Sequence, residues 1–330
     1  MKRTAILLVA LAGALASQAR DSALAPKPEK AAARLRVGSY NIRCTADAGT
    51  PNTWRARRGA LVKLVEKMDC DAIGLQEVTP EQARFLLKAL PQFATIGEFR
   101  NADRRSGEAT PILFRKDRFN LLDSGTFWLS ATPEKPGSKG WGANLPRVCT
   151  WALLEDRRNG AKFCFVNTHL DHQSSEARKE GMRLIVEKRL PAIAGRGTPA
   201  ILTGDFNCVE TDEPALIAAK HLDNALCTSE TAPKGPWRTL TCWSWKETET
   251  PCEAALRKTA AERNALVRSS KAPFKEQYSF GGPRIDFIFV SKGVKVESFT
   301  TYGDTRKGRK LYPSDHFPLA ATITLPAKGK

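Results

Sequence analysis

Four apolar runs in this chain each stop at a polar residue, and that repeated pattern restricts the fold more than any other feature. The runs are Leu35-Arg36-Val37-Gly38-Ser39-Tyr40 before Asn41, Ala72-Ile73-Gly74-Leu75-Gln76 before Glu77, Phe163-Cys164-Phe165-Val166-Asn167-Thr168 before His169, and Ala200-Ile201-Leu202-Thr203-Gly204 before Asp205-Phe206-Asn207. Each has the length and the β-branched or aromatic content of a buried strand. Strand ends that gather Asn, Glu, His, Asp and Asn at one rim would make a hydrolytic metal site. Glu77 is a hard oxygen ligand of the kind Mg²⁺ takes. Asp205 and Asn207 are two apart, so on an extended segment they face the same side.

The tail Tyr312-Pro313-Ser314-Asp315-His316-Phe317-Pro318 adds a carboxylate and an imidazole before a last β-type run, Leu319 to Leu325. Neighbours on an extended segment point to opposite faces, so Asp315 and His316 serve one site only if the backbone turns there. The flanking prolines punctuate such a turn. An Asp-His pair on an irregular loop entering a strand suits general acid–base chemistry.

Taken in order, Tyr40-Asn41-Ile42, Leu75-Gln76-Glu77-Val78, Asn167-Thr168-His169-Leu170, Gly204-Asp205-Phe206-Asn207, Arg284-Ile285-Asp286-Phe287-Ile288 and Ser314-Asp315-His316 resemble the endonuclease/exonuclease/phosphatase superfamily. That superfamily includes pancreatic-type deoxyribonucleases, base-repair endonucleases, deadenylases, bacterial sphingomyelinases and inositol-polyphosphate phosphatases. The resemblance spans about residues 35–326 and implies a four-layer α/β sandwich, two packed mixed β-sheets flanked by helices, with the site at one end of the sheets. It implies Glu77 as main ligand of a Mg²⁺ ion, with Mn²⁺ as the alternative, and Asn41 beside it as ligand or phosphate donor. Asp205 and Asn207 would orient the attacking water and hold a phosphate oxygen. His169 and His316 would donate to the phosphate and its leaving oxygen, or one would act as base. Asp315 would be a metal ligand or a carboxylate near the water. By the same resemblance Glu108 supports His169 and Asp286 supports His316. Asp286 lies inside an apolar strand, where a lone carboxylate is costly, so it needs a partner. Arg147 is the candidate phosphate clamp, its planar fork matching phosphate geometry. Arg43 departs from the base-repair branch, which is acidic at that position.

The implied function is a secreted phosphoesterase acting on phosphodiesters, nucleic acid among them. The alternatives are a phosphatase or phosphodiesterase of small phosphorylated sugars or lipid headgroups and, from another class, a non-catalytic polyanion-binding domain. A formal net charge of +17 favours polyanionic partners, and the densest cluster is Arg306-Lys307-Gly308-Arg309-Lys310. The four His residues do not make a zinc site with the Cys spacing. Residues 1–19 read as a secretory signal, with Lys2 and Arg3 before the apolar Ala5 to Ala16. Export to the periplasm or outside the cell is therefore expected, with no span in the mature chain and a monomeric state. Residues 20–34 read as a disordered lead-in and 35–326 as one catalytic domain. Residues 226–280 read as an insertion between the Asp205 and Asp286 motifs, and Cys227, Cys242 and Cys252 within it are the expected disulfide formers. Further features are set aside: Trp54 and Arg57 as packing or capping residues, His221 as a surface histidine, His172 as a helix-entry loop residue that could support the site or touch substrate, and Asp171 as a contact of the site or the start of a helix expected over 174–192.

Overall fold

The computed structural model describes residues 32–241, 243, 262, 283–304 and 311–326. The expected signal, most of the lead-in, the 306–310 basic cluster, Cys242 and Cys252 lie outside the described residues. In chain order the elements are β1 (Arg34–Asn41), α1 (Trp54–Met68), β2 (Ala72–Gln76), α2 (Pro80–Ala89), β3 (Phe93–Ile96), β4 (Ile112–Arg115), β5 (Phe119–Trp128), β6 (Val148–Asp156), β7 (Lys162–His169), α3 (Ser175–Arg183), a π-helical stretch (Leu184–Arg189), α4 (Leu190–Ala194), β8 (Ala200–Asp205), α5 (Glu213–His221), β9 (Leu222–Asn224), α6 (Ala225–Thr228), β10 (Asp286–Ser291), β11 (Lys295–Thr301) and β12 (Leu319–Thr324).

The strands form two six-stranded mixed sheets, ordered β11-β12-β1-β2-β4-β3 and β5-β6-β7-β8-β10-β9. Each sheet has a parallel pair at its centre, β1 with β2 and β7 with β8, and antiparallel neighbours elsewhere. Parallel neighbours need a crossover, which α1 supplies in the first sheet and the α3–α4 segment in the second.

Period-two alternation sorts the side chains into layers. Val37, Ala72, Phe163, Phe165, Ile201 and Ile288 point inward and pack between the sheets. Tyr40, Ile73 and Leu75 point the other way, under Leu61, Leu64 and Val65 of α1 and Leu86 of α2. Val166, Leu202, Phe287 and Phe289 do the same on the second sheet, beneath Met182, Ile185 and Ile217. The result is the expected four-layer sandwich. Phe127, Trp128 and Leu129 are buried, so this aromatic run is core and not a membrane-inserting hairpin. No helix among the described residues is long and apolar enough to cross a membrane.

Three local expectations change. The single helix over 174–192 is instead α3, a π-helical stretch and α4. Pro191 has no N–H to give to the preceding turn, and the chain widens there to absorb the missing bond. Strand β11 was not anticipated because it is a bulged edge strand with a half-polar sequence, as edges tend to be. The start of the presumed insertion is part of the body, since Cys227 and Trp237 lie in the core between the sheets. Cys44, Cys70, Cys149, Cys164 and Cys208 carry free thiols.

Candidate active site

Along each central strand the inward-facing positions change from apolar to polar toward one rim. On β1 the series is Leu35, Val37, Ser39, Asn41; on β7 it is Phe163, Phe165, Asn167, His169; on β8 it is Ile201, Thr203, Asp205. The middle of this gradient is a buried polar seam joining the sheets. Gln76 Nε2 donates to Asn167 Oδ1 at 2.7 Å, and Asn167 Nδ2 donates to the carbonyls of Leu75 (2.7 Å) and Pro111 (3.0 Å). Gly74 makes the close approach possible, because a Cβ there would collide with Thr203 and Asn167. The carboxyl ends of β1, β2, β7 and β8 and the starts of β10 and β12 thus meet at one rim.

There the polar tips converge. Asn41 Nδ2 donates to Glu77 Oε1 (3.0 Å) and Asp205 Oδ2 (2.9 Å), tying the two sheets together across the site. Glu77 leaves the end of β2 with φ 61°, and its other oxygen accepts from the Cys44 backbone N–H at 2.9 Å. Asp286 sits directly opposite Asp205 in the β8–β10 register. His316 gives its Nδ1–H to Asp286 Oδ2 at 2.8 Å and turns Nε2 toward Asp205 Oδ2, 3.8 Å away. Asn207 reaches the site through a left-handed backbone, φ 49°, rather than by extended spacing. Its amide donates to Leu170 O and to His169 Nε2, each at 3.0 Å.

Asp315 and His316 do share one cavity, because the loop bends where the prolines predict. Ser314 Oγ donates to Asn41 O (2.7 Å), and Thr241 N and Oγ1 donate to Asp315 O at 2.7 and 2.8 Å. Arg57 acts from beneath. Fully buried on α1, it donates to the carbonyls of Ile42, Arg43, Cys44, Asn52 and Pro313, so one side chain holds both site loops. Sequence reasoning assigned it to packing or capping, and the capping is of this kind. Gln82, in the Thr79 capping box of α2, adds a bond to Arg43 O at 2.7 Å.

One expected partnership differs. Glu108 does not support His169; both of its oxygens accept from Arg100, at 2.6 and 3.2 Å. A buried guanidinium beside it offers a charge-assisted fork, which a neutral imidazole cannot match. Arg147, the candidate phosphate clamp, is buried and lines the cavity; its Nη2 donates to His172 Nδ1 at 2.8 Å, and its Nε lies 3.5 Å from Asp171 Oδ2. Asp171 also accepts from the backbone N–H groups of Gln173 and Ser174, leading the chain into α3. Arg100 and Cys44 also line the site and were not singled out in the sequence, which shows no local signal for either. Arg43, φ 56°, pairs with Asp47 and lies 3.7 Å from Asp315 and 4.0 Å from Glu77.

The resulting cavity of about 280 Å³ brings the carboxylates Glu77, Asp205 and Asp315 and the guanidinium groups Arg43, Arg100 and Arg147 into one lining, with His169, Asn207 and His316. Burial and the facing Asp286 push the Asp205 carboxyl up to about 7. Burial raises Asp315 as well, with Glu77 adding to it. Burial opposes ionisation of Glu77, but His316 and bonds from Asn41 and Cys44 hold its carboxyl below the usual range. Burial would lower His316, yet Asp286, Asp205 and Asp315 together hold it well above the ordinary histidine value. His169 goes the other way, kept neutral by burial and by Arg147 and Arg100.

Crowded carboxylates that resist ionisation are the signature of a site completed by a cation. Glu77, Asp205 and His316 present ligand atoms within 4.8 Å of one another. The two carboxylates are hard donors suited to a divalent ion. His316 Nδ1 is committed to Asp286, which leaves Nε2 facing the cavity.

The family model described as Endonuclease/Exonuclease/phosphatase family matches residues 38–316. Among solved structures, an endonuclease/exonuclease/phosphatase family protein of Bacteroides thetaiotaomicron is 30% identical with a TM-score of 0.74, the match covering 91% of this chain and 98% of that one. A Bacteroides vulgatus endonuclease/exonuclease/phosphatase is 29% identical with a TM-score of 0.74, covering 89% and 100%. A mannosyl-6-phosphatase of Bacteroides thetaiotaomicron is 31% identical with a TM-score of 0.72, covering 88% and 99%. A search of curated proteins finds no match.

Proposed function

This chain belongs to the endonuclease/exonuclease/phosphatase family of hydrolases acting on phosphate esters, and on that premise we propose that its substrate is a small phosphorylated molecule, a sugar phosphate foremost, hydrolysed with Mg²⁺. The observation that carries this reading is a cavity of about 280 Å³ lined by both carboxylates and guanidinium groups. That is near the lower end of small-molecule sites, roughly 300–1,000 Å³. A relative 31% identical is a mannosyl-6-phosphatase, which supports the same choice.

Glu77 and Asp205 would hold the ion, with Asn41 fixing both carboxylates. When bound, the cation neutralises charge at the phosphate and lowers the barrier to water attack. The protein's own groups do the rest. Asp205 receives a proton from the attacking water, oriented by Asn41 and the Asn207 N–H. His316, its Nδ1 committed to Asp286, donates from Nε2 toward the phosphate and its leaving oxygen. Asn207 fixes neutral His169 through its Nε2, and Arg147 neutralises the charge of a phosphate oxygen in the same cavity.

The reading expected first from the sequence, cleavage of nucleic acid, is retained second because the chain carries a net charge of +17. Export through residues 1–19 belongs to the same proposal. The test is hydrolysis of an aryl phosphate with Mg²⁺, with EDTA, and with a Glu77→Gln variant. Both controls should cut the rate at least about 100-fold; an unchanged rate sinks the site. A panel of hexose phosphates against plasmid DNA and RNA then separates the two readings, since polymer cleavage falls steeply with salt.

A further inference from the structure

Two buried arginines, Arg100 and Arg147, share the lining of the cavity. Arg100 and Arg147 arrive from different parts of the chain, one after β3 and the other before β6. Both are at least nine-tenths buried, with 9% and 5% exposure. Together with Glu77, Glu108 and His169 they line both the main cavity and a side chamber of about 10 Å³, room for one water-sized group. Each keeps a buried N–H with no acceptor, Arg100 Nε and Arg147 Nη1. The two charges are close enough that burial and Arg100 lower the Arg147 guanidinium, while Glu108 and Asp171 offset them in part. An anionic ligand in the cavity that both arginines line would relieve the remaining repulsion.

A phosphodiester carries one negative charge and has a second ester carbon. A phosphomonoester offers three terminal oxygens and up to two charges. With Glu77 and Asp205 holding the ion, the charge remaining on a bound phosphate would be met by Arg100 and Arg147, which line the same cavity. A diester lacks the second charge and offers one terminal oxygen fewer. We infer that Arg100, with Arg147, is a specificity-determining residue that reads the second charge of a terminal phosphomonoester and disfavours diesters. The inference rests on the phosphate-ester reading above and sharpens it to one ester class.

Two measurements decide it. The first compares kcat/KM for an aryl phosphomonoester and an aryl phosphodiester with the same leaving group, in wild type, Arg100→Gln and Arg100→Lys. The second is calorimetric titration of inorganic phosphate into the same proteins in EDTA, which needs neither metal nor turnover. Wild type should prefer the monoester. Arg100→Gln should lower its monoester kcat/KM, and its phosphate affinity, by at least about tenfold, the worth of one bond from a charged donor. The diester rate should change less than about threefold, and Arg100→Lys should recover most of the preference because it keeps the charge. Equal losses on both esters, or unaltered phosphate affinity in a folded Arg100→Gln protein, overturn the inference. Gln at this position strands Glu108, so folding is checked by thermal melting. Arg147→Gln, which leaves the Arg100–Glu108 pair intact, gives the same ratio test should Arg100→Gln fail to fold. If EDTA and Glu77→Gln leave wild-type hydrolysis untouched, the hydrolase reading falls, while the phosphate titration still decides this inference.

Discussion

Asp205→Asn should make the metal-free protein relatively more stable as pH rises, even while it destroys the site. Asp205 is 1% exposed, faces Asp286 across the β8–β10 ladder, and has its carboxyl pushed from 3.8 up to about 7. The folded protein therefore holds this proton more tightly than the unfolded chain does. That contribution to stability is intact below the unfolded value near 4 and is lost as pH rises toward 7. Each pH unit across that window is worth about 1.4 kcal/mol, giving roughly 4 kcal/mol in all and about 2–3 kcal/mol between pH 5 and pH 8. Asparagine keeps the shape but never ionises. It disturbs the bonds from Asn41 Nδ2 and Asn207 N, each 2.9 Å, by an amount that does not change with pH. The pH slope thus isolates the charge. Urea unfolding in EDTA, followed by tryptophan fluorescence at pH 5 and pH 8, should show the variant gaining about 2–3 kcal/mol on wild type between the two. Saturating Mg²⁺ at pH 8 should reverse the order, stabilising wild type by about 2.7 kcal/mol at a hundredfold excess over Kd and the variant by less. A gap that is the same at both pH values would refute the argument that Asp205 is a frustrated carboxylate awaiting a cation.

Other perturbations test the scaffold behind the site. Asp286→Asn removes the negative charge that holds His316 protonated and leaves only a neutral acceptor, and should lower kcat by about 100-fold with the melting temperature little changed, measured by steady-state kinetics and calorimetry. Gly74→Ala should destabilise by about 1–3 kcal/mol in urea titrations, because the added Cβ pushes Thr203 and Asn167 apart and opens the seam between the sheets. Arg57→Met removes the Arg57 bonds to five loop carbonyls, of which Arg43 O keeps the one from Gln82, so a loss of about 3 kcal/mol or more is expected, with weakened Mg²⁺ binding by calorimetry as both site loops loosen.

The strands that carry the site were legible because burial imposes a visible alternation. Phe163, Phe165, Asn167 and His169 share one face by spacing alone, and so do Ile201, Thr203 and Asp205. The bend at Asp315-His316 could be read from its flanking prolines, since two adjacent side chains cannot otherwise meet. Asn207 lines the cavity, but not through the extended spacing read from the sequence: it turns in through a left-handed backbone, a conformation that nothing in Gly-Asp-Phe-Asn announces. The Arg100–Glu108 pair and the five carbonyls beneath Arg57 had no sequence signal, because they join segments whose proximity depends on how loops pack.

Local chemistry dictated which strands exist, which face of each is apolar, and which end of each is polar, because those properties follow from spacing within a single run of residues. Tertiary structure alone decided which carboxylate faces which base, which histidine is charged, and which arginine remains unsatisfied. Those outcomes depend on distances between chain-remote groups in a dry interior, where a few ångströms set the sign of a pKa shift.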